Sequence, residues 1–93
     1  MSKVIVFGGS GFLGSYVCDE LHKRGFEVHL ADLKPSQYLK EDMQFHAIDL
    51  QDLESIQKIF SKNSFEYVFN FAGLADLNIA INEPILTIQQ KIG

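Results

Sequence analysis

The 93 residues contain one cysteine, two prolines and no tryptophan, and Lys and Arg number 8 against 12 Asp and Glu. A single thiol, Cys18, excludes an internal disulfide. It stands among apolar neighbours in a helical pattern, reads as a small buried hydrophobe, and suits a reducing cytoplasm. The net charge of −4 provides no basic surface, Lys23-Arg24 being an isolated pair, so nucleic acid and anionic membranes are excluded as partners on charge grounds. The first apolar run stops at glycine, far short of a signal core or a membrane span, and the chain is expected to be soluble and cytoplasmic.

What remains is a globular composition, 46% apolar with eight Phe and three Tyr. The length allows one small domain that buries roughly 60% of its unfolded surface. Val4-Ile5-Val6-Phe7 is an apolar run ended by glycine, as in a strand buried on both faces. Residues 12–24 place Leu13, Val17 and Leu21 four apart, with Asp19, Glu20, Lys23 and Arg24 mostly opposite. This predicts an amphipathic helix stopped by Gly25. Residues 26–32 read as a second strand, 33–43 as loop or a short turn of helix, and 44–48 as a short third strand. Leu53, Ile56 and Phe60 predict a helix over 52–60, with Asp49 or Asp52 as its N-cap. Residues 65–71 form a fourth strand. Ile81, Ile85 and Ile88 support a helix over 78–92, with Pro84 at a start or kink. Strands alternating with helices predict an α/β fold, a parallel sheet with right-handed crossovers.

Between the first strand and the first helix stands Gly8-Gly9-Ser10-Gly11-Phe12-Leu13-Gly14. Gly8, Gly11 and Gly14 satisfy one glycine spacing; Gly9, Gly11 and Gly14 satisfy the older G-x-G-x-x-G. In this context the first glycine turns the chain off the strand and the middle one lets a pyrophosphate approach the backbone. The last lets helix pack on strand. Free N–H groups and the positive helix end favour phosphate. Asp32 closes the second strand 18 positions after Gly14, where a carboxylate accepts hydrogen bonds from ribose hydroxyls and repels a 2′-phosphate. NAD is therefore expected over NADP, although Lys34 leaves NADP open. A glycine-rich turn with Asp32 as a simple turn cap is the bland alternative.

Other chemistries find no support. His22, His29 and His46 show no ligand spacing with Cys18 or with each other and read as one surface helix residue and two strand residues; no metal is expected. There is no G-x-S-x-G nucleophile elbow and no Walker Lys-Ser/Thr ending.

The combination resembles the extended short-chain dehydrogenase/reductase family, the NAD-dependent epimerase/dehydratases of nucleotide sugars. GGSGFLG matches its usual turn, Asp32 ends the second strand, Asp49-Leu50 follow the third, and Phe71-Ala72-Gly73-Leu74 follow the fourth. That last string is similar to UDP-glucose 4-epimerases, as is the position of Pro84. The resemblance implies that Gly8, Gly11, Phe12, Leu13 and Gly14 lie at the pyrophosphate, and Asp32 with Leu33 at the adenine ribose. Asp49 and Leu50 would flank adenine, and Phe71, Ala72 and Gly73 would line the nicotinamide half. Leu50 and Phe71 as core alone, or Asp49 as a helix cap alone, stay open. Ala75 stands where 4-epimerases commonly have Lys, and Gln90 where they have Asn. A dehydratase, another epimerase or a sugar-nucleotide reductase therefore stays open.

The family's chemistry needs a Tyr-x-x-x-Lys pair. Four residues after Tyr16, Tyr38 and Tyr67 stand Glu20, Asp42 and Phe71. The resemblance thus implies the N-terminal part of an NAD-binding Rossmann domain, sheet order 3-2-1-4, lacking catalytic pair and substrate domain. Such a chain is expected to bind cofactor without catalysis, and to meet a nucleotide sugar only with the missing half. A non-catalytic dinucleotide module and an NADP-dependent reductase fragment are the alternatives. The fourth strand is expected to be an open apolar edge at Tyr67-Val68-Phe69, which implies self-association.

Overall fold

A computed structural model describes residues 2–35, 37, 39–73 and 86–89. The elements run β1 (Lys3–Phe7), α1 (Phe12–Lys23), β2 (Glu27–Asp32), β3 (Gln44–Ala47), α2 (Leu53–Lys62), β4 (Tyr67–Asn70) and β5 (Leu86–Gln89). All strand pairs are parallel, in the order β3-β2-β1-β4-β5. The expected 3-2-1-4 arrangement is present, with one strand more.

Alternation along β1 and β2 divides the core in two. Val4, Val6, Val28 and Leu30 point to one face and pack with Cys18 of α1; Leu21 and Phe26 lie against them. Ile5, Phe7, Ala31 and Val68 point to the other face and pack with Ile56 and Ile59 of α2 and with Phe65. Among the described residues the sheet carries one helix on each face, which explains why β1 is apolar from Val4 to Phe7 rather than alternating. Cys18 sits where the sequence places it, and burial pushes its thiol up to about 12.

Local signals fix the helix ends. Gly25 has φ +89°. Its N–H donates to His22 O at 3.1 Å, and the Phe26 N–H reaches Leu21 O at 3.2 Å. This pair of bonds is a Schellman stop, and the left-handed residue it needs is the glycine. At α2 the N-cap is Asp52, which accepts from the Ser55 N–H. Asp49 lies one turn earlier, accepting from the Gln51 N–H at 2.9 Å.

The helix expected over 78–92 is corrected where the structure describes it: Leu86–Gln89 is a strand, paired residue for residue with Tyr67–Asn70. The other residues of that span lie outside the described ones. The physical reason is the row of backbone N–H and C=O groups that β4 presents on the side away from β1, which a further strand satisfies. The expected open edge at Tyr67-Val68-Phe69 is corrected with it. β4 has a neighbour on both sides, so the ground for self-association through that edge is gone. Among the described residues no helix is long and apolar enough to cross a membrane.

Candidate functional site

The segments expected at the site follow the carboxyl ends of β1, β2, β3 and β4, and three of them meet in the structure. The turn after β1 is built by its glycines, each for a different reason. Gly8 has φ +78°, and a Cβ there would stand 3.1 Å from Ala72 N and 3.2 Å from Phe71 C. The chain leaving β4 thus runs against the turn. A Cβ on Gly14 would lie 2.3 Å from Gly8 O, so α1 can approach β1 only with glycine there. These two positions select the Gly8, Gly11, Gly14 spacing over the one starting at Gly9, where the nearest atoms to a Cβ belong to the Leu30 side chain rather than to backbone.

Gly11 differs. Its φ of −73° and ψ of 173° suit any residue. A Cβ would find Gly8 O at 3.5 Å, an ordinary contact. Neither conformation nor packing demands glycine at position 11, so its missing side chain leaves room at the start of α1. Gly11 is the N-cap of α1, no side chain caps that helix, and its first turn holds no acid. The Ser15 N–H bonds back to Gly11 O at 2.8 Å, which leaves the N–H groups of residues 12–14 without intrahelical acceptors. An anion suits such an end.

Asp32 is tied to this turn. Its Oδ2 accepts from the Ser10 N–H at 3.1 Å and its Oδ1 from the Leu33 N–H at 2.8 Å. The Ser10 hydroxyl donates to Lys34 O at 2.5 Å. Sequence reasoning passed over Ser10, which fixes the carboxylate and the loop after β2 to the glycine turn. A polar residue between two glycines of the motif is the only signal that could have flagged it. Asp32 keeps lone pairs for further donors, since each carboxylate oxygen accepts more than one hydrogen bond.

The other expected residues divide. Ala72 is exposed beside the turn, and Gly73, also exposed, has φ +69°. Phe71 is half-buried, packs on the α1-side core and stacks on Phe69 at 6.4 Å. Leu50 packs on the α2-side core. Both thus have core roles. Asp49 holds the turn before α2 rather than capping it. Phe12 is 91% exposed and Leu33 66%, with Leu13 at the margin, so three apolar side chains flanking the turn and Asp32 face outward. A groove of about 400 Å³ along α1, lined by Phe12, Ser15, Tyr16, Asp19 and Lys40, shares only Phe12 with the expected site.

The model of the NAD dependent epimerase/dehydratase family matches residues 4–93. The chain is 29% identical to the UDP-glucose 4-epimerase of Bacillus subtilis over 92 residues, 88% of this chain and 27% of that protein. It is 31% identical to UDP-glucose 4-epimerase GEPI48 of Cyamopsis tetragonoloba, over 89% of this chain and 27% of the relative. The crystal structure of the Thermotoga maritima UDP-glucose 4-epimerase with UDP-glucose superposes with TM-score 0.70 at 35% identity, covering 88% of this chain and 28% of that one. The Thermus thermophilus enzyme in complex with NAD gives 0.69 at 29% identity, covering 90% and 28%. The chain thus spans about a quarter of the length of these relatives.

Proposed function

Because the chain belongs to the NAD-dependent epimerase/dehydratase family, we propose that it is the NAD-binding portion of a nucleotide-sugar epimerase or dehydratase, holding the cofactor across the carboxyl ends of its strands. Gly11 carries this reading: it is a glycine that the fold does not require, at an uncapped helix start. A pyrophosphate that must approach the backbone requires it.

The residues take these roles. The N–H groups of residues 12–14 bind pyrophosphate oxygens, with Gly8 and Gly14 shaping the turn beneath them. Asp32, oriented by Ser10 and Leu33, accepts from the adenine ribose hydroxyls, and its charge repels a 2′-phosphate. Asp49 and Leu50 flank adenine, with Leu33 over the ribose. Phe71, Ala72 and Gly73 pass beside the nicotinamide half. NAD supplies the hydride acceptor and donor for oxidising and restoring a sugar hydroxyl. The acid–base work needs a Tyr-x-x-x-Lys pair that these 93 residues lack, so this chain binds and orients cofactor and does not turn over sugar.

Calorimetric titration with NAD, and with NADP in parallel, tests the reading. NAD is expected to bind, NADP more weakly, and Asp32→Ala to cost about 10- to 100-fold in NAD affinity, the range for a charge-assisted hydrogen bond. A folded chain that takes up no NAD, or binds it equally well after Asp32→Ala, would overturn the proposal.

A further inference from the structure

Three titratable side chains share the α2 face of the sheet. Strand register predicts their meeting only once β2 and β3 are paired. Ala31 stands opposite His46 and His29 opposite Gln44, so His29 and His46 are diagonal neighbours on one face. Their rings lie nearly parallel, centroids 5.2 Å apart, with His29 Nδ1 2.9 Å from His46 Nε2. The other His29 nitrogen, Nε2, is 2.7 Å from Glu27 Oε2. His29 is buried, and the Phe65 ring meets it edge-on at 5.0 Å.

Proton accounting follows from these contacts. An ionised Glu27 only accepts, so His29 Nε2 carries a proton. The 2.9 Å contact between the rings then needs one proton between Nδ1 of His29 and Nε2 of His46, with a lone pair on the other side. One added proton preserves this bridge: it settles on His46 Nδ1, or the bridging proton slides to His29. A second cannot be taken. Both rings would be cations with N–H groups aimed at each other, and the pair must part.

We propose that Glu27, His29 and His46 form a one-proton site whose second protonation unseats β3 and weakens dinucleotide binding in acid. The coupling to binding rests on the roles given above to Asp49 and Leu50. Among the described residues β3 is the outermost strand on its side, paired with β2 alone. The chain leaving it is pinned by the Ile48 N–H on Asp32 O at 3.1 Å. Asp49 follows at once, so a displaced β3 carries Asp49 and Leu50 with it and frees the backbone of Asp32.

The charges facing the site agree with this. β1 contributes Lys3, 3.9 Å from Glu27; β3 adds the uncharged Gln44, and the segment after α2 presents Phe65. Glu27 is held below the ordinary carboxylate range, first by the His29 hydrogen bond, with the His29 and Lys3 charges and the amino terminus adding to it. His46 is held below its ordinary 6.5, first by burial and then by the His29 charge. A depressed folded pKa stabilises the fold above the unfolded value. That contribution is lost as pH falls through the folded one, so the sign is loss in acid, below 6.5. Among the described residues no group of three His, Cys, Asp or Glu can hold a metal.

The test follows the imidazole resonances, amide exchange of residues 44–47 and NAD affinity on this chain, from about pH 8 to about pH 5. The first proton on the pair should leave β3 protected. The second should speed β3 exchange at least about tenfold and weaken NAD about tenfold per unit of pKa difference between bound and free states. His46→Gln, which cannot become a cation, should make β3 protection and NAD affinity flat over this range. Two cationic rings with β3 still protected would overturn the site, as would an unchanged acid loss in His46→Gln. Loosened β3 with unaltered NAD affinity would overturn the coupling. Failure to bind NAD at any pH would overturn the coupling and the cofactor reading together, while the exchange data decide the proton site independently.

Discussion

Replacing Gly14 by Ala puts a methyl carbon 2.3 Å from Gly8 O and 2.8 Å from the Gly9 Cα. Both obstacles are backbone, so no rotamer change relieves them and α1 must slide off the turn. Ala in a helix ordinarily gains about 1 kcal/mol over Gly. Overpacking costs about 1–3 kcal/mol where side chains can give, and more where they cannot. The clash therefore wins, by about 1–2 kcal/mol or more, and Tm should fall by at least about 4–8 °C for a chain of this size. Gly11→Ala is the matched control. Its Cβ meets Gly8 O at 3.5 Å and its backbone is ordinary. Stability should stay within about 0.5 kcal/mol, or rise slightly as the unfolded chain loses freedom, while NAD affinity drops at least about tenfold. Thermal melts and NAD titrations on the two variants separate folding from binding. If Gly11→Ala melts as early as Gly14→Ala, the glycine serves the fold and the main support for a phosphate site is lost. If it is stable and binds NAD as the parent does, the pyrophosphate does not pass over residue 11. A stable Gly14→Ala would show that the close approach of α1 to the turn is wrong.

Two further outcomes follow from local structure. Asp52→Ala removes the side chain that accepts from the Ser55 N–H and caps α2. It should lower Tm by about 4–8 °C, with Asp52→Ser recovering most of the loss, as thermal melts would show. Cys18, buried with its thiol pushed up to about 12, should resist alkylation by iodoacetamide in the folded chain near neutral pH and react on unfolding in denaturant. Mass spectrometry that finds native Cys18 modified as fast as a free thiol would contradict the packing between α1 and the sheet.

The glycine turn was legible because each of its signals is local. Gly8, Gly11 and Gly14 are spaced in the chain as they are spent in space, and Asp32 ends its strand at a fixed distance behind them. The strands β1 and β2, the helix stop at Gly25 and the choice between Asp49 and Asp52 as cap were open to the same reasoning, the last only as a pair of options. Ser10 escaped it because a serine in a turn has many partners and only the fold brings Asp32 and Lys34 O to it. Leu50 and Phe71 both have core contacts in the structure, and sequence could name a core role and a site role for each without apportioning them.

Residues 86–89 show where local reading fails. Ile81, Ile85 and Ile88 fit a helical period, yet Leu86–Gln89 is a strand, because the free edge of β4 offers four residues of hydrogen-bonding register that no local preference encodes. The two histidines are the same lesson in side chains. Sequence places His29 and His46 on strands 17 residues apart and is silent on whether they meet. The sequence by itself determined the glycine turn, the acid behind it and the stop of α1 at Gly25, since these depend on backbone conformations and spacings within a few residues. Tertiary structure alone decided the fifth strand, the clip of Ser10 on Asp32 and the meeting of the His29 and His46 rings, because strand pairing sets those contacts and its register is a property of two segments together.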